Sequence, residues 1–97
     1  MNSNNLAFLA ELEGVIEARR GADDNSSYTR ELFTRGTPYI AQKVGEEAVE
    51  LAIAAVQGDK QRTVSEAADL MYHLLVLLAD SELSLSDVTQ ELTERQR

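Results

Sequence analysis

The sequence predicts an all-α fold, a bundle of four to five helices built on a helical hairpin and completed by dimerisation. Two observations point to helices. Hydrophobic residues fill 43% of the 97 positions beside a single proline, and Ala, Leu, Glu and Gln, all good helix formers, are abundant. Apolar residues also recur at three- and four-residue intervals, the spacing of one helix face, in segments punctuated by Gly21, Gly36 and Gly58. The length fits one domain, residues 1–97, of modest core size.

Leu6, Leu9, Leu12, Val15 and Ile16 form one stripe, so a first helix is expected over 5–20, with Asn4 or Asn5 as N-cap and Gly21 as its stop. The turn formers from Gly21 to Ser27 read as an exposed connector, and a short helix follows from Ser27 to Thr34. Gly36 ends it. Thr37 then serves as N-cap with Pro38 in the first helical position, where a missing N–H costs nothing, and a third helix runs to Gln57.

Gly58 closes that helix and Asp59 caps the next, expected over 60–80 with Val64, Ala67, Ala68, Met71, Leu74, Leu75 and Leu78 inward. The two long helices form a hairpin. A capping box of Ser84 and Asp87, with a Leu83–Val88 staple, starts a fifth helix near Leu85, and its polar tail from Thr93 to Arg97 is expected to fray.

Seventeen acidic against nine basic residues give a net charge of -8, which argues against a nucleic-acid binder. A phosphorylated ligand remains compatible if metal ions stand between acids and phosphates. With no cysteine there is neither a disulfide framework nor thiolate chemistry, and a cytoplasmic location is the expectation. The longest apolar run, Leu74 to Ala79, is too short to cross a bilayer, and Met1 to Asn5 is polar and uncharged, so neither a membrane span nor a targeting segment is expected.

The chemistry is expected in two acidic pairs, Glu47-x-x-Glu50 and Glu66-x-x-Asp69. Each pair places two carboxylates about one turn apart on one side of its helix. Glu50 and Glu66 each stand eight residues from Gly58, and Glu47 and Asp69 each stand eleven. In an antiparallel hairpin equal counts mean equal heights, so four carboxylates can converge from one chain. Such a cluster repels itself and calls for a cation. An all-oxygen set suits magnesium or manganese; a di-iron site would want Glu-x-x-His pairs, and His73 is the only histidine.

Neighbouring residues extend the site. Lys43, four residues before Glu47, either holds a phosphate or forms an ion pair with Glu47; His73, four after Asp69, is either part of the site or a satisfied core histidine. Arg30, Arg35, Lys43, Lys60 and Arg62 put most of the basic residues near the acids, where they can gather phosphate oxygens.

These residues, with Ser27-Tyr28-Thr29, Leu32-Phe33 and Gly36, the stretches AQKVGEEAVELAIAA and SEAADLMYHLLVLLA, and LSLSDV near the end, resemble the phosphoribosyl-ATP pyrophosphohydrolase family over about 27–90. Residues 1–26, the first helix and connector, match it only in character. The family is a branch of the all-α nucleoside triphosphate pyrophosphohydrolases, with MazG-type enzymes and dimeric dUTPases, which share the E-x-x-E and E-x-x-D pattern. The resemblance implies Glu47, Glu50, Glu66 and Asp69 as magnesium ligands. It also implies hydrolysis of phosphoribosyl-ATP to phosphoribosyl-AMP and pyrophosphate, the second step of histidine biosynthesis. Glu46 or Glu47 is then a candidate proton acceptor, and Tyr28, Arg30, Arg35, Lys43 and His73 are candidate substrate contacts.

Two rival readings share these residues. A house-cleaning hydrolase of dCTP or dUTP would keep the metal motif and change the substrate, and a non-catalytic helical interaction module would leave the acids merely solvated. A homodimer is expected because Leu74 to Ala79 is apolar all round the helix and a chain this short has few elements to cover it.

Overall fold

The computed structural model describes residues 3–21 and 27–96, and among them all regular structure is helical. A short 3-10 helix, Ser3–Ala7, leads into α1 (Phe8–Arg20), followed by α2 (Tyr28–Arg35), α3 (Thr37–Val56), α4 (Lys60–Asp80) and α5 (Leu85–Arg95). Most of the expected connector between the first two helices lies outside the described residues.

The α3–α4 hairpin is the spine, and its turn is chemically specified. Gly58 takes the left-handed conformation (φ 73°), its N–H reaches the Ala55 carbonyl at 3.0 Å, and the Asp59 N–H reaches Ala54 at 3.2 Å. That is a Schellman closure, which satisfies two carbonyls at the end of α3. Asp59 then caps α4 through the Arg62 N–H at 3.0 Å. The same closure ends α4, but there the left-handed residue is Glu82 (φ 60°), while the Glu82 and Leu83 N–H groups bond to Ala79 and Leu78.

The core lies at the open end of the hairpin. Ile16 of α1, Leu32 of α2, Ile40 of α3 and Leu75, Val76 and Ala79 of α4 are buried together, with Leu9, Leu12, Phe33, Tyr39, Tyr72, Leu77 and Leu85 packed around them. α1 and α2 therefore cover the hairpin end far from Gly58. α5 begins with the expected capping box, Ser84 with Asp87, and Glu13 of α1 accepts the Leu85 N–H at 2.6 Å. That bond ties the start of α5 to α1.

Several expectations need correction. The first helix begins at Phe8, because the preceding residues form the tighter 3-10 turn, and Ala7 rather than an asparagine occupies the cap position. Thr37 is the first residue of α3, not its cap, since Gly36 (φ 95°) makes the turn and the Thr37 hydroxyl donates to Asp80 at 2.5 Å. α5 stays helical to Arg95, supported by an Arg95–Glu91 ion pair of 2.9 Å. Leu83 is half exposed beside the start of that helix.

The inward face of α4 also differs. Leu75 is buried as expected, but so are His73, Val76 and Ala79, whereas Val64, Ala68 and Met71 are exposed. The run from Leu74 to Ala79 is buried or half-buried within one chain, because α1 and α2 supply the cover expected from a second copy.

Candidate active site

The acids converge where the hairpin passes from its packed half to its turn. Oxygens of Glu47, Glu66 and Asp69, one from each side chain, all lie within 4.8 Å of one another. α3 supplies the first and α4 the other two, with Glu47 and Asp69 each eleven residues from Gly58. Glu50 lies beside Glu47 but outside this three-oxygen set, and it is exposed.

Glu47 is only 9% exposed, and its Oε2 has no hydrogen-bond partner among the described residues. Burial, followed by the charges of Glu50 and Asp69, pushes its carboxyl above the ordinary carboxylate range, against a smaller pull from Lys43. An orphaned oxygen, buried and faced by two further carboxylates, fits a hard cation with oxygen ligands. Glu66, half-buried, meets Arg62 at 3.7 Å.

Beside the acids an open groove of about 500 Å³ is lined by Lys43, Gly45, Glu46, Glu47, Val49 and Glu50. Lys43 pairs with Glu46 at 3.4 Å, not with Glu47 as a surface ion pair would. Burial works against the Lys43 charge, but Glu46, Tyr28 and Tyr39 outweigh it and hold the ammonium above its ordinary pKa. Glu46 accepts the Gln42 amide at 3.0 Å, and this bond, with Lys43, holds its carboxyl below the ordinary range.

Tyr28 and His73 meet across α2 and α4, with 3.0 Å between the phenol oxygen and Nε2. His73 is 6% exposed, and its Nδ1 lies 2.7 Å from the Asp69 carbonyl. Thr29 and Tyr72 make a second hydroxyl contact between the same helices, and the Tyr28 and Tyr72 rings stack with centroids 6.2 Å apart. Tyr72 was not a candidate in the sequence, where one aromatic residue on a long apolar helix reads as core.

Arg30 and Arg35 both lie on α2. Arg30 follows Tyr28 by two residues and donates to Thr34 at 3.0 Å. Arg35 sits at the other end of α2, over the Tyr39 ring at 4.6 Å and paired with Glu31 at 3.4 Å. The structure thus brings Tyr28, Lys43, Glu46 and His73 up to the acid cluster and leaves Arg35 toward the packed end.

Comparison with known proteins identifies the family. The phosphoribosyl-ATP pyrophosphohydrolase family profile matches residues 9–96, so it takes in α1 as well as the stretch from 27 to 90. A histidine biosynthesis bifunctional protein HisIE of Photobacterium profundum is 61% identical over 90 residues, 93% of this chain and 44% of that protein. The proteins of that name from Campylobacter jejuni (61% over 90 residues, 93% of this chain and 44% of that protein) and Shewanella oneidensis (55% over 95 residues, 98% and 45%) are similar. The chain spans about half the length of these relatives. A match from α1 to the end of α5, with the acidic motifs at its centre, means that the chain belongs to the phosphoribosyl-ATP pyrophosphohydrolase family.

Proposed function

We propose that the chain carries out its family's reaction, cleaving phosphoribosyl-ATP between the α and β phosphates, with magnesium or manganese held by Glu47, Glu66 and Asp69 and with Glu50 at the rim. The observation that carries this reading is the Glu47 carboxylate, buried with one oxygen unpartnered. When bound, the ion would supply neutralisation of phosphate charge and a lowered pKa for an attacking water.

The chain's own residues do the rest. Lys43 offers its ammonium to phosphate oxygens in the groove, and Glu46 holds that ammonium in place. An ionised carboxylate of the cluster accepts the proton of the attacking water. The second function named for the longer bifunctional relatives is theirs and is not assigned to this chain.

The test is pyrophosphate release from phosphoribosyl-ATP, dCTP and dUTP side by side, with and without a chelator. Phosphoribosyl-ATP should be turned over, only with metal, and Glu47→Gln, Glu66→Gln and Asp69→Asn should each lose at least about 100-fold while keeping their helicity. Near wild-type turnover in two of the three, or full turnover in chelator, would sink the metal assignment. Preference for dCTP or dUTP would overturn the substrate.

The proposed partner is a second copy of the chain. Val49, Ile53 and Val56 on α3, and Val64, Ala68 and Met71 on α4, are exposed at intervals of three and four, with Val56 at 88% and Val64 at 71%. Two such stripes flank the hairpin turn, and apolar stripes of this kind mark a contact surface. No helix among the described residues is long and apolar enough to cross a membrane. A cytoplasmic setting completes the proposal, consistent with a chain that has no cysteine.

A further inference from the structure

Arg62 is poorly placed for the helix that carries it. It is the third residue of α4, where unpaired N–H groups make the helix end positive and disfavour a cation. It also stands four residues before Glu66, the weaker order for an ion pair along a helix. Its backbone N–H serves the Asp59 cap, a role that asks nothing of the side chain. Yet that side chain is held from two directions: Nη1 donates to Gln57 Oε1, across the turn, at 3.2 Å, and Nε stands 3.7 Å from Glu66 Oε2.

The second contact falls on the acid cluster. Of the three converging acids, Glu66 alone has an ion pair among the described residues; Glu47 keeps an unpartnered oxygen, and Asp69 is exposed. Lys43, farther from the turn, pairs with Glu46 instead. At 3.7 Å the Arg62–Glu66 pair is longer than a charge-assisted hydrogen bond of about 2.7–2.9 Å, so Glu66 can leave it without breaking a strong bond. Nor would Arg62 be stranded, since it keeps Gln57 and its side chain is 42% exposed to water.

Building on the proposed metal site, we infer that Arg62 is the resident counter-ion of the cluster, which a divalent ion must displace from Glu66, and that its charge sets the affinity of the site for metal. The guanidinium offsets part of the carboxylate crowding in the metal-free chain. It then repels the ion that takes its place, across a half-buried carboxylate where water screens charge less than it does in bulk. Arg62 acts on the metal through Glu66 and is a positioning residue.

The experiment is calorimetric titration of the metal-free chain with manganese at low ionic strength. Saturable heat in the wild type comes first, since its absence would overturn the metal site and this inference together. Arg62→Met and Arg62→Ala remove the charge without offering an oxygen ligand, and each should bind manganese about three- to tenfold more tightly. The gain should shrink as salt is added. Arg62→Lys keeps the charge and should stay within about twofold of the wild type.

Thermal unfolding adds a reading that a merely structural ion pair would not move. Magnesium near the wild-type half-saturation point should raise the melting temperature more in Arg62→Met than in the wild type, because tighter binding to the native state stabilises it more at a given concentration. Unchanged or weaker manganese affinity in both neutral variants, or a Lys variant that gains as much as they do, would overturn the proposal while the metal assignment stands.

Discussion

The two halves of the α3–α4 hairpin are built on opposite plans. At the open end Ile40, Leu75, Val76 and Ala79 face inward and α1 and α2 cover them. Near the turn the arrangement reverses. Glu47, Glu66 and Asp69 gather between the helices while Val49, Ile53, Val56 and Val64 face out. The packed half covers its own apolar side chains, whereas the turn half holds a buried carboxylate oxygen without a partner among the described residues and turns apolar side chains outward.

This contrast can be broken at either end. Leu75→Ala removes a side chain that is 1% exposed in the packed half and should destabilise the chain by about 2–5 kcal/mol in urea unfolding, whereas Val64→Ala should change unfolding of the single chain by less than about 0.5 kcal/mol. Equal losses would erase the distinction. Val64→Glu should next convert a dimer to a folded monomer near 10.7 kDa by light scattering, since it places a charge in the exposed stripe. Leu77→Glu is a poor probe of the interface because Leu77 packs on the core. A wild-type chain already monomeric at micromolar concentration would remove the outer half of the argument.

A smaller effect concerns the inner half. Glu47→Gln relieves a buried charge crowded by Glu50 and Asp69, so without metal it should raise the melting temperature, on the order of 1 kcal/mol or a few degrees. Excess magnesium should then stabilise the wild type and not the variant. A lower melting temperature in the metal-free variant would mean that Glu47 is a structural residue. The smallest expectation separates the two turns: Gly58 meets its left-handed conformation freely, while Glu82 is strained at φ 60°. Glu82→Gly should therefore stabilise by up to about 1 kcal/mol in thermal unfolding, and a destabilised variant would place more weight on the 3.5 Å Arg20–Glu82 pair than its exposure suggests.

Much of this was legible from residues alone, for reasons that are local. The Schellman turn at Gly58, the Asp59 cap and the Ser84–Asp87 box are short-range chemistry, so α4 and the start of α5 fall where the sequence puts them. Equal counts about Gly58 likewise set Glu47 level with Asp69 and Glu50 level with Glu66, and the structure brings the first pair together with Glu66. Periodicity, however, marks an apolar stripe without saying what covers it. On α4 it marked Leu75 correctly as inward, but it also pointed to Val64, Ala68 and Met71, whereas α1 and α2 select the face that adds Val76 and Ala79 to Leu75. Nor could spacing show that Glu50 swings out of the set, that Thr37 spends its hydroxyl on Asp80, or that Tyr72 meets Thr29. Those depend on how helices rotate against one another.

The central claim is that the acids in the turn half form a divalent-metal site. Calorimetric titration of the metal-free chain with manganese or magnesium tests it directly, with Glu47→Gln as the comparison. Saturable heat in the wild type, absent from the variant, is the expected result. Heat that never saturates, or the same isotherm from both proteins, would mean that the cluster is a solvated acidic face and that the inverted half of the hairpin holds no metal.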